Sequence, residues 1–401
     1  MLIKKLTLRC RNKGLSAYPL SLSANFGQNK ITGLYIHIPF CARKCPYCDF
    51  YSLEGKPSGL IDDYISALIK EIDLYHEKIN QIKTVYIGGG TPSILNIAQL
   101  TVLLEGLYRH IRPSEIIEFT VEVNPKSITS EKLRLFKDYA ITRISLGAQS
   151  FKERDLKILG RLHSVDDSLK AVEDIKKFSF SLSIDLIYGI PEQTLKDWQV
   201  NLSMIEDLKP DHVSVYELTV EEGTPLHQEI LRGKLKKPPE GEIVKMYEKA
   251  HRYLEDRGYT HYEVSNFAKV DRLCLHNLNY WKRGEYIGIG AGAHSFINKK
   301  RIENYNDLKK YMDSINEGRF PYKKIIELSP EDEFVEFLML GLRLKEGISL
   351  DRIPGEASLK EKVLRRSLPL IERGFLERKE NSLRPTLKGF LLLNEVITEL
   401  I

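Results

Sequence analysis

No Asp or Glu occurs before Asp49, and no stretch approaches the roughly 18 apolar residues that a membrane-spanning helix needs. The apolar core of a secretory leader is also missing. Cysteine is scarce, five in 401 residues, and three of the five crowd into one short loop, which speaks against a disulfide-built framework. No low-complexity segment and no fixed-period repeat occurs, so a solenoid is excluded. Neither charge dominates: a net +5 over this length is mild and gives no reason to expect nucleic acid as a partner. What remains is ordinary for a globular chain, with 42% hydrophobic and 29% charged residues and enough length for more than one domain.

The acid-free segment carries Lys4, Lys5, Arg9, Arg11, Lys13 and several serines. Residues 1–32 are therefore expected to form a basic, flexible extension. The same composition is that of an organellar transit peptide, so the expected cytoplasmic location has an organellar alternative. Cys10 lies in this segment without an assignable role. With Cys274 it stands outside the cysteine cluster, and the pair fits a reducing compartment.

Beyond Gly33, strand-like and helical patterns alternate. Strands are expected at Leu34–Ile38, Thr84–Ile87, Ile117–Val123, Arg143–Leu146, Ser181–Ile187 and His212–Leu218. Between them lie amphipathic helices at Asp62–Ile79, Ala98–His110, Glu131–Tyr139, Val165–Phe178 and Leu195–Leu208. In the first, Tyr64, Leu68, Ile72, Tyr75 and Ile79 recur at helical spacing. Six strands joined by crossover helices imply a parallel α/β sheet whose functional residues gather past the strands' C-terminal ends. Residues 223–239 and 321–330 read as loops at boundaries. After them come a helix at Phe334–Leu344, a helix at Val363–Arg373, a strand at Phe375–Arg378, a turn and a largely apolar final helix from Leu387. Such an appendix is winged-helix-like, and its apolar last helix suits docking on the main domain rather than reading DNA.

The most informative segment is Cys41-Ala-Arg-Lys-Cys45-Pro-Tyr-Cys48, at the end of the first strand. Three thiolates at this spacing can hold three irons of a [4Fe–4S] cubane and leave the fourth open. Structural zinc is the rival, because His37 would complete a Cys3His set. However, His37 sits in a strand-like alternation, and zinc sites usually pair their ligands as two CxxC units. The triplet thus favours the cluster, and the six-strand unit around it removes zinc as a rival.

The second strand runs into Gly88-Gly-Gly-Thr-Pro-Ser93, where Gly89, Gly90 and Thr91 let backbone approach a ligand. Glu122 and Gln149 stand at comparable strand ends, and Asp185 lies in the fifth strand. Glu122 suits a ribose hydroxyl or an ammonium group, or equally a salt bridge at the mouth of the sheet. Arg161 can pair a carboxylate in a bidentate fork, or be a plain surface arginine. The segment His276-Asn-Leu-Asn-Tyr-Trp281 places His276, Tyr280 and Trp281 where they can ligate and sandwich a flat cofactor such as haem, or simply pack a loop.

Together HIPFCARKCPYCDF, GGGTPS, VEVNP, GAQSF, GRLHS and DLIYGIPEQT resemble the HemN-like branch of the radical S-adenosylmethionine (SAM) superfamily over roughly residues 33–300. Within that branch, oxygen-independent coproporphyrinogen III oxidases carry CxxxCxxCxC, whereas this chain has Phe50 at the last position. CxxxCxxCDF, HNxxYW and Leu340-Gly-Leu-Arg-Leu-Lys-Glu-Gly347 instead resemble the HemW family of haem chaperones.

The resemblance implies a partial (βα)6 radical SAM barrel over 33–225, a HemN/HemW-type extension over 226–325 and the smaller winged-helix-like α/β domain over 326–401. It implies a [4Fe–4S] cluster on Cys41, Cys45 and Cys48, and SAM against Tyr35, Gly89, Gly90, Thr91, Glu122, Gln149, Arg161 and Asp185. It also implies haem on His276, Tyr280 and Trp281, delivery to acceptor haemoproteins such as membrane respiratory enzymes, and a homodimer. The alternative is a true radical SAM oxidoreductase acting on coproporphyrinogen III.

Overall fold

A computed structural model describes residues 31–401. The basic extension and Cys10 lie outside the described residues, apart from the extension's last two positions. The six expected strands are present as β1 (Gly33–Ile38), β2 (Thr84–Gly89), β3 (Glu118–Val123), β4 (Arg143–Gln149), β5 (Ser181–Tyr188) and β6 (His212–Glu217). They pair in parallel in sequence order. Successive side chains of a strand face opposite ways. One face of β1–β6 is therefore apolar throughout, with Leu34, Ile36, Val85, Ile87, Phe119, Val121, Ile144 and Ile184 all buried in one core with the crossover helices. The opposite face carries Tyr35, Tyr86, Thr120, Glu122, Arg143, Ser145, Ser183 and Asp185, aligned by register. A parallel sheet covered on both sides would be apolar on both. Here one face is built to line a polar interior.

Three expected helices appear within two residues of their forecast limits: α2 (Ile97–Tyr108), α3 (Ser130–Asp138) and α5 (Val165–Lys177); the first, forecast over Asp62–Ile79, is α1 (Ser58–Leu74), broken at Tyr75 before a single turn at His76–Ile79. The fifth, α6 (Leu195–Leu208), matches its forecast at both ends. Asn96, Ser164 and Thr194 begin α2, α5 and α6 with reciprocal capping boxes, which fix those starts. A helix not expected, α4 (Glu153–Ile158), follows β4. Residues 223–239 are not wholly loop, since α7 (Pro225–Leu231) forms there, with Pro225 at its first turn and Thr224 capping it. Then follows α8 (Glu240–Glu255).

The sheet is larger than six strands. To it are added β7 (Thr260–Glu263), β8 (Asn266–Ala268), β9 (Tyr286–Ile289), β10 (His294–Ile297), β11 (Lys300–Asn304) and β12 (Tyr322–Glu327), the last inside the expected break at 321–330. The order of the twelve is β12-β11-β10-β9-β1-β2-β3-β4-β5-β6-β8-β7, so the sheet stays open, a partial barrel. β9 is a seventh parallel strand, paired with β1. Its Gly288 is required by close packing: a Cβ there would lie 1.9 Å from the His294 carbonyl oxygen. The remaining strands are antiparallel. Two helices accompany them, α9 (Leu275–Trp281) and α10 (Leu308–Asn316).

The C-terminal unit comprises α11 (Pro330–Gly341), β13 (Ile348–Ser349), α12 (Ala357–Glu372), β14 (Leu376–Lys379), β15 (Ser382–Pro385), α13 (Leu387–Leu391) and α14 (Leu393–Leu400). Its small sheet, ordered β13-β15-β14, makes the wing. The unit covers the β7 edge of the main sheet: Val264 N–H donates to Arg343 O (2.9 Å), Lys345 N–H to Tyr262 O (3.0 Å), and the Phe390 ring packs on His261 at 4.9 Å. An exposed strand edge is thereby closed. No helix among the described residues is long and apolar enough to cross a membrane.

Candidate cluster and cofactor site

The cysteine loop is rooted at the C-terminal end of β1. Phe40–Cys41 pairs with Leu53–Glu54, and Leu53 N–H donates to Pro39 O (2.6 Å), which closes the loop on itself. Within it, Cys48 N–H donates to Cys45 O (3.0 Å). The glycine loop after β2 is stitched to the same root, Gly90 N–H to Ile38 O (2.8 Å) and Thr91 N–H to Phe40 O (2.9 Å). On the far side, α7 reaches the loop through Leu226 N–H to Pro46 O (3.0 Å). Three separate elements thus fix the three thiols.

The sulfur atoms have polar neighbours. Thr91 Oγ1 lies 3.6 Å from Cys41 Sγ and donates to it. The Arg161 guanidinium spans Cys45 Sγ (3.4 Å) and Gly147 O (3.1 Å), while its buried Nε has no protein partner. Burial pushes the Cys41 thiol up and the Cys48 thiol up to about 11. Free of metal, both thiols are therefore protonated at neutral pH, and loading must displace the protons. Among the described residues no three His, Cys, Asp or Glu side chains converge on one ion position. A cubane does not require that, because each thiolate takes a different iron. His37 is committed elsewhere, with Nδ1 2.9 Å from Tyr35 Oη and Nε2 3.1 Å from Tyr51 O, so it does not complete a zinc set.

Glu122 joins the glycine loop to the polar face: Tyr86 Oη donates to Oε1 (2.8 Å) and Gly89 N–H to Oε2 (3.3 Å). Gln149 ends β4 in a left-handed conformation (φ 68°), beside a register shift against β5. Tyr35 and Asp185 lie on the same polar face, where Ser145 Oγ is 3.3 Å from each Asp185 carboxylate oxygen. Cys41, Cys45, Cys48, Gly89, Gly90, Thr91, Glu122, Gln149 and Arg161 thus share one end of the sheet, with Tyr35 and Asp185 on the wall leading from it.

His276, Tyr280 and Trp281 lie elsewhere. They share α9, which plugs the N-terminal end of the strands. His276 Nδ1 is 2.9 Å from Oγ1 of Thr84, the first residue of β2, and Nε2 is 2.8 Å from Tyr280 Oη. The imidazole also stacks on Tyr86, with centroids 5.2 Å apart. Burial lowers the His276 pKa to about 3, so the ring is neutral. As seated, both its nitrogens are engaged. Glu118, which the sequence reading passed over, anchors the helix by accepting from Cys274 Sγ (3.2 Å), Leu275 N–H (3.1 Å) and His276 N–H (3.2 Å). Its signal was the alternation Glu118, Thr120, Glu122 against Phe119, Val121, Val123.

Gly90 offers a direct check of the stitching. A Cβ on it would lie 2.7 Å from Phe40 O and 3.0 Å from Cys41 Sγ. Gly90→Ala is expected to displace the loop root and cut reconstituted iron at least severalfold, with the circular dichroism of the fold retained. Unchanged iron content would show that the glycine loop does not position the cysteines.

Residues 35–205 match the model of the radical SAM superfamily, and residues 328–392 that of the HemN C-terminal domain. In overall fold the chain is similar to coproporphyrinogen III oxidase (HemN) from Escherichia coli, with a TM-score of 0.79 over 98% of both chains at 22% identity. Partial barrel and cysteine loop together make this a radical SAM protein, a class that implies a [4Fe–4S] cluster and SAM. The heme chaperone HemW of Bacillus subtilis (strain 168) is 37% identical, over 90% of this chain and 97% of that one. HemW of Escherichia coli (strain K12) is 33% identical, over 91% and 96%. The Danio rerio radical S-adenosyl methionine domain-containing protein 1, mitochondrial, is 32% identical, over 91% and 85%. The chain belongs to the HemW family.

Proposed function

We propose that this protein is a haem chaperone that carries haem to acceptor haemoproteins, with the cluster and SAM governing transfer rather than turning over a porphyrinogen. The observation that carries the reading is near-full-length similarity to proteins named heme chaperone HemW, in a chain whose cysteine loop has Phe50 where a fourth cysteine would stand. Cys41, Cys45 and Cys48 would hold the cluster. Tyr35, Gly89, Gly90, Thr91, Glu122, Gln149, Arg161 and Asp185 would hold SAM. When bound, a three-thiolate cubane offers one iron to SAM's amino and carboxylate groups.

The residues present suit both groups. Three thiols are held on one braced loop, with a cation beside one of them and a hydroxyl donor beside another. Arg161 keeps one free donor, its Nε, for a carboxylate oxygen. Gly89 and Gly90 present no side chain beside the Glu122 carboxylate, which Gly89 N–H already holds. His276, Tyr280 and Trp281 would be the haem contacts. His276 is neutral, as a ligand must be, but α9 has to leave its seat before an iron reaches either nitrogen.

Anaerobic purification followed by haem titration tests this. Wild type is expected to bind haem slowly relative to diffusion, and His276→Ala at least tenfold more weakly with iron and sulfide unchanged. If neither form binds haem above the level of an unrelated protein, the chaperone reading fails. Reductant-dependent product from coproporphyrinogen III would replace it with an oxidoreductase.

A further inference from the structure

Arg143 is one of the largest fully buried side chains of the protein; the buried Glu118 carboxyl on the neighbouring strand feels its charge, but no carboxylate hydrogen-bonds it among the described residues. Its Nη2 donates to Arg272 O and Leu273 O, both at 3.3 Å, while Nε and Nη1 have no hydrogen-bond partner. A guanidinium cannot shed its proton, so leaving two of its nitrogens dry and unpaired is costly. The residues on either side are orphaned too. Thr120 on β3 and Ser181 on β5 are Arg143's register partners on the same polar face, and both hydroxyls are buried without a partner. Three neighbouring strands therefore present hydroxyl, guanidinium and hydroxyl in one row, the two hydroxyls and two of the three guanidinium nitrogens unsatisfied. Such a row is complementary to a carboxylate, which takes a fork from arginine and further donors alongside.

At Arg143 the row meets the segment that leads into α9. Arg272 and Leu273, whose carbonyls Arg143 holds, immediately precede Cys274 and the helix. Glu118, which fastens the helix by three accepted hydrogen bonds, begins the strand that carries Thr120. On α9 itself Asn277 is buried with both amide atoms unpaired. Unpaired polar groups thus lie on both sides of this seam, which fits a surface that receives a ligand when the helix lifts.

We propose that Thr120, Arg143 and Ser181 form a carboxylate seat that takes a propionate of haem once α9 opens, next to His276. This rests on the haem-chaperone reading and assigns it a specificity site. Haem suits the place because it joins a flat apolar ring to carboxylates on one edge, matching an aromatic-bearing helix beside a buried cation. The two exposed cations at the cysteine mouth, Arg43 and Lys126, are the competing seat. Arg43 Nη2 holds Gly160 O (2.5 Å) and Lys126 Nζ holds Leu162 O (3.4 Å), so each is at least partly satisfied.

The experiment is a spectrophotometric titration of the full-length, cluster-loaded protein with haem and with haem dimethyl ester, whose propionates are blocked. Wild type is expected to favour haem by roughly tenfold or more, the scale of a charge-assisted fork. Arg143→Lys should bring that ratio towards one while leaving ester affinity and iron content unchanged. The volume-conserving double variant Thr120→Val/Ser181→Ala should lower it partway, and covers the case in which Arg143→Lys fails to fold. A wild-type ratio of one overturns the seat, and so does a ratio that survives both variants. Loss of the ratio in Arg43→Ala/Lys126→Ala instead would move the propionate to the mouth. If wild type binds neither compound, the chaperone reading itself falls.

Discussion

Replacing any one of Cys41, Cys45 or Cys48 by serine is expected to reduce iron and acid-labile sulfide to background after anaerobic reconstitution, with little change in fold. A serine hydroxyl keeps the size of the side chain but not the thiolate that iron needs. Two thiolates hold two corners of a cubane and leave two irons to solvent. The loop spends few structural contacts on its sulfur atoms: the three side chains are half-buried, with Thr91 and Ser52 beside Cys41, Arg161 beside Cys45 and the Phe50 backbone beside Cys48. Thermal unfolding of the metal-free forms should therefore be almost superimposable, and spectroscopy of the reconstituted forms should differ completely. Among the three, Cys45→Ser also strips Arg161 of its sulfur acceptor, so SAM affinity should fall there even where residual iron remains. A cysteine variant that retains a full complement of iron and sulfide would remove the cluster from this loop and, with it, the open iron on which the SAM assignment depends.

The cysteine end of the molecule was legible because its chemistry is local in sequence. Eight consecutive residues carry the three thiols, and the strand alternation on either side fixes where they emerge. Glu122 and Asp185 were legible for the same reason, since period two sorts them onto the face opposite Val121 and Ile184. Other features were hidden by distance. β9 reads as glycine-broken because Gly288 answers a close approach from His294, and its partner β1 lies some 250 residues earlier in the chain. β12 reads as a break because it is the outermost strand of the sheet, largely exposed and lysine-bearing, without the buried alternation that marks an inner strand. The sequence also grouped His276, Tyr280 and Trp281 in one short segment, as a flat-cofactor site or a packed loop, without marking it as a helix. It held no sign that their helix closes the opposite end of the sheet from the cysteines. That placement depends on Thr84 and Glu118, which are met only after folding.

Glu71→Ala is expected to cost about 3–5 kcal/mol, the largest loss of stability for any single truncation near the site. In the sequence Glu71 is one more acid on an amphipathic helix, but in the fold it is fully buried. Its Oε2 accepts from Gly290 N–H (2.8 Å) and Tyr311 Oη (2.6 Å), and its Oε1 from Asn304 Nδ2 (2.7 Å). The carboxyl thereby ties α1 to the loop after β9, to β11 and to α10. In that loop Ala291 N–H donates to Tyr64 Oη (3.0 Å), and Tyr64 Oη donates to His37 O (2.8 Å) at the root of the cysteine loop. Truncation leaves three buried donors short of an acceptor, each costing about 1–3 kcal/mol. Burial is the main cause that pushes the Glu71 pKa up from 4.5 to about 7, against the pull of those three donors. The folded value lies above the unfolded one, so the contribution is fully present below pH 4.5 and is lost as pH rises through 7. Over that window the linked change is roughly 3 kcal/mol. Glu118 and Glu263, raised to about 7 and about 8 by burial, add slopes of the same sign, so the test must be differential. Urea unfolding at pH 5 and pH 8 should show wild type losing more stability than Glu71→Gln between the two conditions. The glutamine should still be less stable than wild type at pH 5, because its amide turns a donor towards Asn304. Equal pH dependence in the two proteins would mean that Glu71 stays ionised when buried, held by its three donors alone.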